Sequence, residues 1–470
     1  MYATLANGIG LLVSLFISAV IPKYIVGADY GYWQFYFLFT GYAGFAKLGL
    51  QDGIILRYGK YDYKDLDKKL FHSELMALYL FEFVLAAGLW FGGLLLFSDV
   101  NKVYVFRMFL IYCIVFLPSE LLQYILLMTN RIAHYSIAIV IEKSTYGLIL
   151  AGLLLSHQYQ FKYYIWADIL CRAAAFIYGV WQCKEIVFNK LAPVKETLSE
   201  ISTNCKVGIV MMLANISSLL LLGITRFFIS ENWAMDLFGD VSFSIGLCNF
   251  ILVFLTAVGQ VLFPILKRAK TEELPSIYSI MNRSMTLVAC MALCVYPVLE
   301  LFVKFWLPNK VSCLVYLSLI LPVCVYEVKA NMLLSVYFKV LRKEKEFLMV
   351  NTPPVVISLL LSLLTTVVYK NIKLAVVSIV VSCAIRSLLC QIYFAKTLKL
   401  KETKVMVTDA VLPTIFIVSY VILEGWQAFG VYAVAFVLIA AMLYRNDISN
   451  MLKMAKKENK ANGQQSVEEE

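Results

Sequence analysis

The feature that most constrains this chain is a succession of apolar runs, each about 20 residues long, joined by short and mostly basic connections. A helix rises about 1.5 Å per residue, so each run matches the roughly 30 Å hydrocarbon core of a bilayer. Breaking the 470 residues at charged or Pro/Gly-rich connections predicts about fourteen spans. The first six are 5–26, 31–56, 74–97, 105–127, 132–155 and 163–183. The next six are 205–229, 234–263, 281–307, 311–338, 347–369 and 372–395, and two more follow at 405–424 and 428–444. These spans leave no room for a water-soluble domain. Only 15% of the residues are charged, against about a quarter in soluble proteins, so the expected fold is an all-α integral membrane protein.

The connections alternate sides as the chain is threaded through a bilayer, and the Lys and Arg residues are shared unevenly between the two sides. They collect on one side, in clusters at 57–69, 184–206, 267–283, 339–345 and 396–404, with Arg131 on the same side. Cytoplasmic connections are enriched in these residues, which predicts that both termini are cytoplasmic. The same rule accounts for the formal charge of +10 and removes the reason to invoke nucleic acid. The first run has no basic segment before it and leads directly into another span, so it reads as a retained helix and not a cleaved signal. Six crossings return a chain to its starting side. Two six-helix sets, 1–183 and 205–395, are therefore expected as a parallel repeat, joined by a polar connection at 184–204. Two added helices occupy 396–444, and the charged, Asn/Gln-rich 445–470 reads as a disordered cytoplasmic tail.

The 11 cysteines include no Cys-x-x-Cys pair and lie largely inside apolar runs, where they act as small hydrophobes. His72, His134 and His157 are scattered, with no zinc spacing, and there is no phosphate-cradling Gly-rich lysine loop. Neither a metal, a cofactor nor an enzymatic activity is implied.

Ionisable side chains at membrane depth cost several kcal/mol unless paired or hydrated, so each marks a partner or an aqueous space. In the second span Trp33, Tyr36, Thr40, Gly44, Lys47 and Gln51 fall on one stripe at 100° per residue. In the seventh, Asn204, Gly208, Asn215, Ser218 and Arg226 cluster likewise. Lys143, Arg172, Lys329 and Arg386 are further embedded cations, suited to an anionic phosphate or sugar acid, and Trp33 and Tyr36 to stacking on sugar rings. Glu120, Glu142 and Glu327 are candidates for coupling transport to a cation. Asp168 and Arg172 stand at i,i+4 and can neutralise each other, whereas adjacent Glu142 and Lys143 call for separate partners. Arg226 lies near enough to a helix end to snorkel. Pro118, Pro297, Pro322 and Pro413 interrupt spans and allow bending.

The segment from Gly10 to Arg57 contains Pro-Lys-Tyr-Ile-Val-Gly-Ala-Asp-Tyr-Gly-Tyr-Trp and then Ala-Lys-Leu-Gly-Leu-Gln-Asp-Gly-Ile-Ile-Leu-Arg-Tyr. It resembles bacterial polysaccharide biosynthesis proteins, whose first two helices flank an "LGP-x-x-x-G-x-Y" junction and close on an "A-D-L-G-L-x-x-x-x-x-R" run. Ala46, Leu48, Gly49, Leu50 and Arg57 carry the match, and Gly259-Gln-Val-Leu-Phe-Pro264 is a second echo. Lys47 replaces the usual acid, so no role of that acid carries over. The missing basic segment before the first helix reads, on this resemblance, as a start codon placed late.

Those proteins belong to the multidrug/oligosaccharidyl-lipid/polysaccharide exporter superfamily, with two six-helix bundles around a cavity and often two added helices. The resemblance implies a flippase of the bacterial inner membrane that moves undecaprenyl-pyrophosphate-linked oligosaccharide, such as an O-antigen unit of lipopolysaccharide, by alternating access. Its partners would be the lipid-linked oligosaccharide, membrane lipids, and the polymerase and glycosyltransferases of the same pathway. The alternatives are a cation-coupled multidrug exporter of the same superfamily and a membrane polysaccharide polymerase. The polymerase is disfavoured by the short outer connections.

Overall fold

The computed structural model describes residues 2–259, 270 and 272–442. The expected tail at 445–470, the expected end of the eighth span at 260–263 and residues 260–264 of the second motif echo lie outside the described residues. The described helices form fourteen rods, counted here as spans in chain order. Tyr2–Ala19 leads into Ile21–Tyr24, a broken second rod covers 27–58, and Lys68–Leu89, Val100–Met128, Ile132–Leu155 and Phe161–Gln182 follow. Val194–Asn232, Met235–Gly259, Leu274–Trp306, a bent rod of Cys313–Ile320 with Val323–Phe338, Lys345–Val368 and Ile372–Thr397 come next. Thr403–Ile422 and Gly425–Met442 are the last.

Ten of these helices are long and apolar enough to cross a membrane, eleven with the bent pair, and Gly8–Tyr24 is a shorter apolar helix. The second rod misses the criterion because it is broken. The sixth carries Lys162, Asp168 and Arg172, which make it less apolar. Large apolar side chains such as Leu95, Leu155 and Phe305 face outward, as a lipid solvent requires. The chain is a multi-pass α-helical membrane protein.

A repeat that sequence similarity barely registers is plain in the packing. The first span packs on the fifth, the second on the fourth, the third on the fourth, the fourth on the sixth and the fifth on the sixth. Adding six to each number gives contacts that are also present: seventh on eleventh, eighth on tenth, ninth on tenth, tenth on twelfth, eleventh on twelfth. The thirteenth span lies against the ninth, tenth and twelfth. The fourteenth is tied to the ninth by a hydrogen bond from Tyr432 Oη to the Cys290 carbonyl, 2.7 Å long.

Local chemistry explains several boundaries. Asp67, Asp99 and Asn371 cap the third, fourth and twelfth helices by accepting from backbone N–H groups one turn in. Pro322 separates the halves of the tenth span, which bend by 44°. The seventh helix begins at Val194, just after Pro193, and runs for 39 residues, about 58 Å. It therefore absorbs half of the polar connection expected at 184–204 and projects beyond the apolar core at the end of the molecule bearing the basic connections.

The second span departs most from expectation. Its first helix, Gly27–Thr40, stops at Gly41, a tight turn occupies Ala43–Lys47, and a new helix runs Leu50–Tyr58. Leu48 and Gly49 take φ of 50° and 79° between them, a region that Gly enters at no steric cost. A single stripe from Trp33 to Gln51 therefore does not exist. Trp33 and Tyr36 are buried within the first bundle against Tyr30, Tyr164 and Tyr112. Gly44 instead faces Ile216 of the seventh span.

Candidate transport site

The two bundles meet where the second span runs between the seventh and eighth, and glycine makes the approach possible. Gly27-x-x-x-Gly31 opens the second span and Gly49-x-x-x-Gly53 opens its second half, a spacing that places two small residues on one helix face. A Cβ on Gly31 would come within 2.1 Å of the Met235 carbonyl oxygen of the eighth span. One on Gly53 would come within 1.9 Å of the Asn204 carbonyl oxygen, and one on Gly208 within 2.0 Å of that of Gly49. Backbones thus touch at both ends of the seam. Ionic contacts flank them. At the basic end Arg57 bonds Glu200 and Asn204 at 2.5 Å each, and Asn204 donates to Glu74 at 2.7 Å. At the opposite end Lys102 of the fourth span reaches Glu231 of the seventh at 2.9 Å.

Between these closures lies the break in the second span. Tyr42 Oη donates to the Leu219 carbonyl at 3.2 Å and rests on Gly223, where a Cβ would sit 1.2 Å from it. One turn before Leu219 on the seventh helix, and two turns beyond Gly208 on the same face, lies Asn215, which is exposed. Arg226, eleven residues beyond Asn215 and hence on nearly the same face, donates to Ser242 Oγ of the eighth span at 3.1 Å. Its guanidinium lies 5.7 Å from the Phe238 ring centre. Among the described residues no carboxylate pairs with it, and its Nε is buried without a partner.

The remaining candidates divide between the two bundles, and most are neutralised there. In the first, Lys47 is ion-paired with Glu120, 5.7 Å from the Phe116 ring. Asp168 Oδ2 accepts from Tyr36 Oη at 2.9 Å and from Arg172 Nε at 3.0 Å. Arg172 also lies 3.4 Å from Glu142 and 4.8 Å over each of the Tyr112 and Phe116 rings. Lys143 Nζ donates to the adjacent Glu142 at 3.3 Å. The expectation that neighbours must find separate partners is thus corrected: two long side chains curl toward each other even when their Cβ atoms diverge.

Glu82 of the third span is a residue that sequence reasoning missed. It is 1% exposed and has a carboxylate oxygen with no hydrogen-bond partner. A Glu well inside the apolar run 74–97, two turns beyond the Glu74 that opens it, was the available signal. With it, three cations (Lys47, Lys143, Arg172) meet four carboxylates (Glu82, Glu120, Glu142, Asp168) in this bundle, so its interior carries no excess of positive groups.

In the second bundle Lys329 is ion-paired with Asp409, and Arg386 donates to Glu327 at 2.5 Å. Gln391 and Thr286 also donate to Asp409, at 2.8 and 3.1 Å, and Asn331 to Glu327 at 3.1 Å. Asp409, likewise missed, comes from the thirteenth span and fixes it to the tenth. The candidates therefore do not form one cationic surface. Of those singled out, Arg226 and Asn215 lie between the bundles, Lys47 sits beside the break, and the rest are held inside one bundle or the other.

This fold is that of transporters of the multidrug/oligosaccharidyl-lipid/polysaccharide superfamily. Among solved structures, the chain is similar to the lipid II flippase MurJ in an inward closed conformation, with a TM-score of 0.70 and 13% identity over 95% of this chain and 99% of that one. It is also similar to inward-facing and outward-facing conformations of a multidrug resistance MATE family transporter. The TM-scores are 0.61 and 0.57 and the identities 12% and 13%, over 84% and 85% of this chain and 94% and 93% of theirs. No family model matches, and no curated protein matches. At these identities the likeness establishes the fold.

Proposed function

We propose that the chain is a flippase that carries a lipid-linked oligosaccharide with a phosphate or pyrophosphate head, such as the undecaprenyl-linked unit of a surface polysaccharide, across a bacterial inner membrane by alternating access. The observation that carries this reading is Arg226, an embedded cation in the seam between two bundles with no carboxylate partner among the described residues. Such a charge is costly at membrane depth. A phosphate satisfies it with charge-assisted hydrogen bonds. Asn215 extends the polar path along the same helix face, and Lys47 borders it at the break in the second span. The basic end faces the cytoplasm under the positive-inside rule, with both termini there. Glu120, Glu142 and Glu327, each already held by a cation, are the carboxylates through which a coupling ion would exchange.

The test uses the full chain in vesicles. Wild-type protein should move a lipid-linked sugar across the bilayer, and Arg226→Gln should slow it about 10- to 100-fold, the worth of hydrogen bonds to a charged group. Arg226→Lys should retain part of the rate. No movement by the wild type would reject the flippase reading, and an unimpaired Arg226→Gln would reject the role of Arg226.

One observation favours a second reading, a cation-coupled multidrug exporter. Around Lys47, Lys143 and Arg172, inside the first bundle, stand the four carboxylates Glu82, Glu120, Glu142 and Asp168, a polarity that suits cationic compounds. A drug-sensitivity panel with and without the gene separates the two.

A further inference from the structure

At the basic end of the first bundle, away from the seam, the third, fifth and sixth spans surround a depression of about 810 Å³. Its cations are Lys64, Lys68, Arg131 and Lys184, against the carboxylates Asp62 and Glu185. Lys68 is committed to Glu185, 2.6 Å away, and this contact draws the exposed Glu185 carboxyl below its ordinary range. Three cations then face one carboxylate. Arg131 is the most constrained of them. Its Nη1 donates to the Gln182 carbonyl at 3.0 Å and its Nη2 to Gln182 Oε1 at 3.1 Å. The guanidinium plane lies 4.7 Å from the Tyr63 ring centre. All these partners are neutral, so the guanidinium is oriented without being discharged.

The wall beside these cations is apolar and open. Trp181 is 67% exposed and Ile177, one turn earlier on the same face, 69% exposed. Ile132, next to Arg131, is exposed as well. A cationic floor adjoining a lipid-facing wall, with Trp at the boundary, is the shape complementary to a headgroup whose acyl chains run alongside the protein. A free anion would use the floor and leave the wall without purpose. We propose that this depression is a binding site for an anionic phospholipid of the leaflet at the basic end, its phosphodiester between Arg131, Lys64 and Lys184 and its chains along Ile177 and Trp181. This site is separate from the seam and does not rest on the transport reading.

The experiment is native mass spectrometry of the full-length protein, released from detergent after incubation with phosphatidylglycerol or phosphatidylcholine at equal concentration. Wild-type protein should retain phosphatidylglycerol preferentially. Lys64→Gln and Lys184→Gln, both at exposed positions, should each cut that retention about fivefold, the worth of one basic residue near an anionic surface. Lys370→Gln, at the opposite end, should leave it unchanged. Arg131→Gln should weaken retention further, with the melting temperature in lipid-free detergent reporting whether the fold survives. If it does not, the two lysine variants decide. Equal retention of the two lipids by wild-type protein, or unchanged retention in both lysine variants, would overturn the proposal.

Discussion

Lys329 is fully buried on the tenth span, and the carboxylate that holds it stands 80 residues away on the thirteenth. Removing one member of such a pair strands the other in a low-dielectric interior, at about 3–5 kcal/mol. Replacing both with apolar groups of similar size is close to neutral. Lys329→Met is therefore expected to lower the melting temperature in detergent by several degrees, and Lys329→Met with Asp409→Leu to restore most of it. If the double variant melts as low as the single, the two groups do not act as a pair. This separation also explains what was hidden in the sequence. An embedded Lys or Arg announces the need for a partner, but the partner is chosen by helix packing. Glu120 for Lys47 and Glu327 for Arg386 are likewise distant in the chain. The i,i+4 pair Asp168–Arg172, in contrast, was legible from spacing, because helix geometry alone brings those two together.

The spans themselves were readable because a bilayer forces every backbone group to be satisfied within a helix, so length and apolarity alone nearly define each one. The second span was misread for a physical reason. A helical wheel assumes an unbroken axis, and Gly41, Gly44 and Gly49 end that assumption within nine residues. The glycines of this span and of the seventh predict which substitutions the seam tolerates. Gly53→Ala and Gly208→Ala each place a methyl about 2 Å from a backbone oxygen across the seam. The helices must part, at about 1–3 kcal/mol for overpacking. Gly44→Ala meets nothing nearer than the Ile216 Cδ1 atom at 3.9 Å. Thermal stability, and with it the transport proposed above, should fall in the first two variants and stay close to wild type in the third. A Gly44→Ala variant as impaired as Gly208→Ala would show that the break needs glycine for its backbone angles and not for space.

At the scale of the whole molecule, the seam is closed at both ends, and each end has its own polar lock. Arg57–Glu200 and Glu74–Asn204 hold the basic end, while Lys102–Glu231 and the hydrogen bond from Trp306 Nε1 to the Ala19 carbonyl, 2.8 Å long, hold the other. The six-span repeat in the contacts means that two similar bodies face each other across this seam, and on the alternating-access reading proposed above rigid rocking would open one mouth only as the other stays shut. Weakening one lock should therefore bias the equilibrium toward opening at that end alone. Glu200→Gln removes a partly exposed ion pair worth roughly 1 kcal/mol, enough to change a two-state population about fivefold. Hydrogen–deuterium exchange should rise in 49–58 and 200–210 and stay level or fall in 27–33 and 226–240. Lys102→Gln should give the reverse pattern. Faster exchange at both ends in either variant would mean that the contacts merely hold the bundles together, and that opening is not shared out between two mouths.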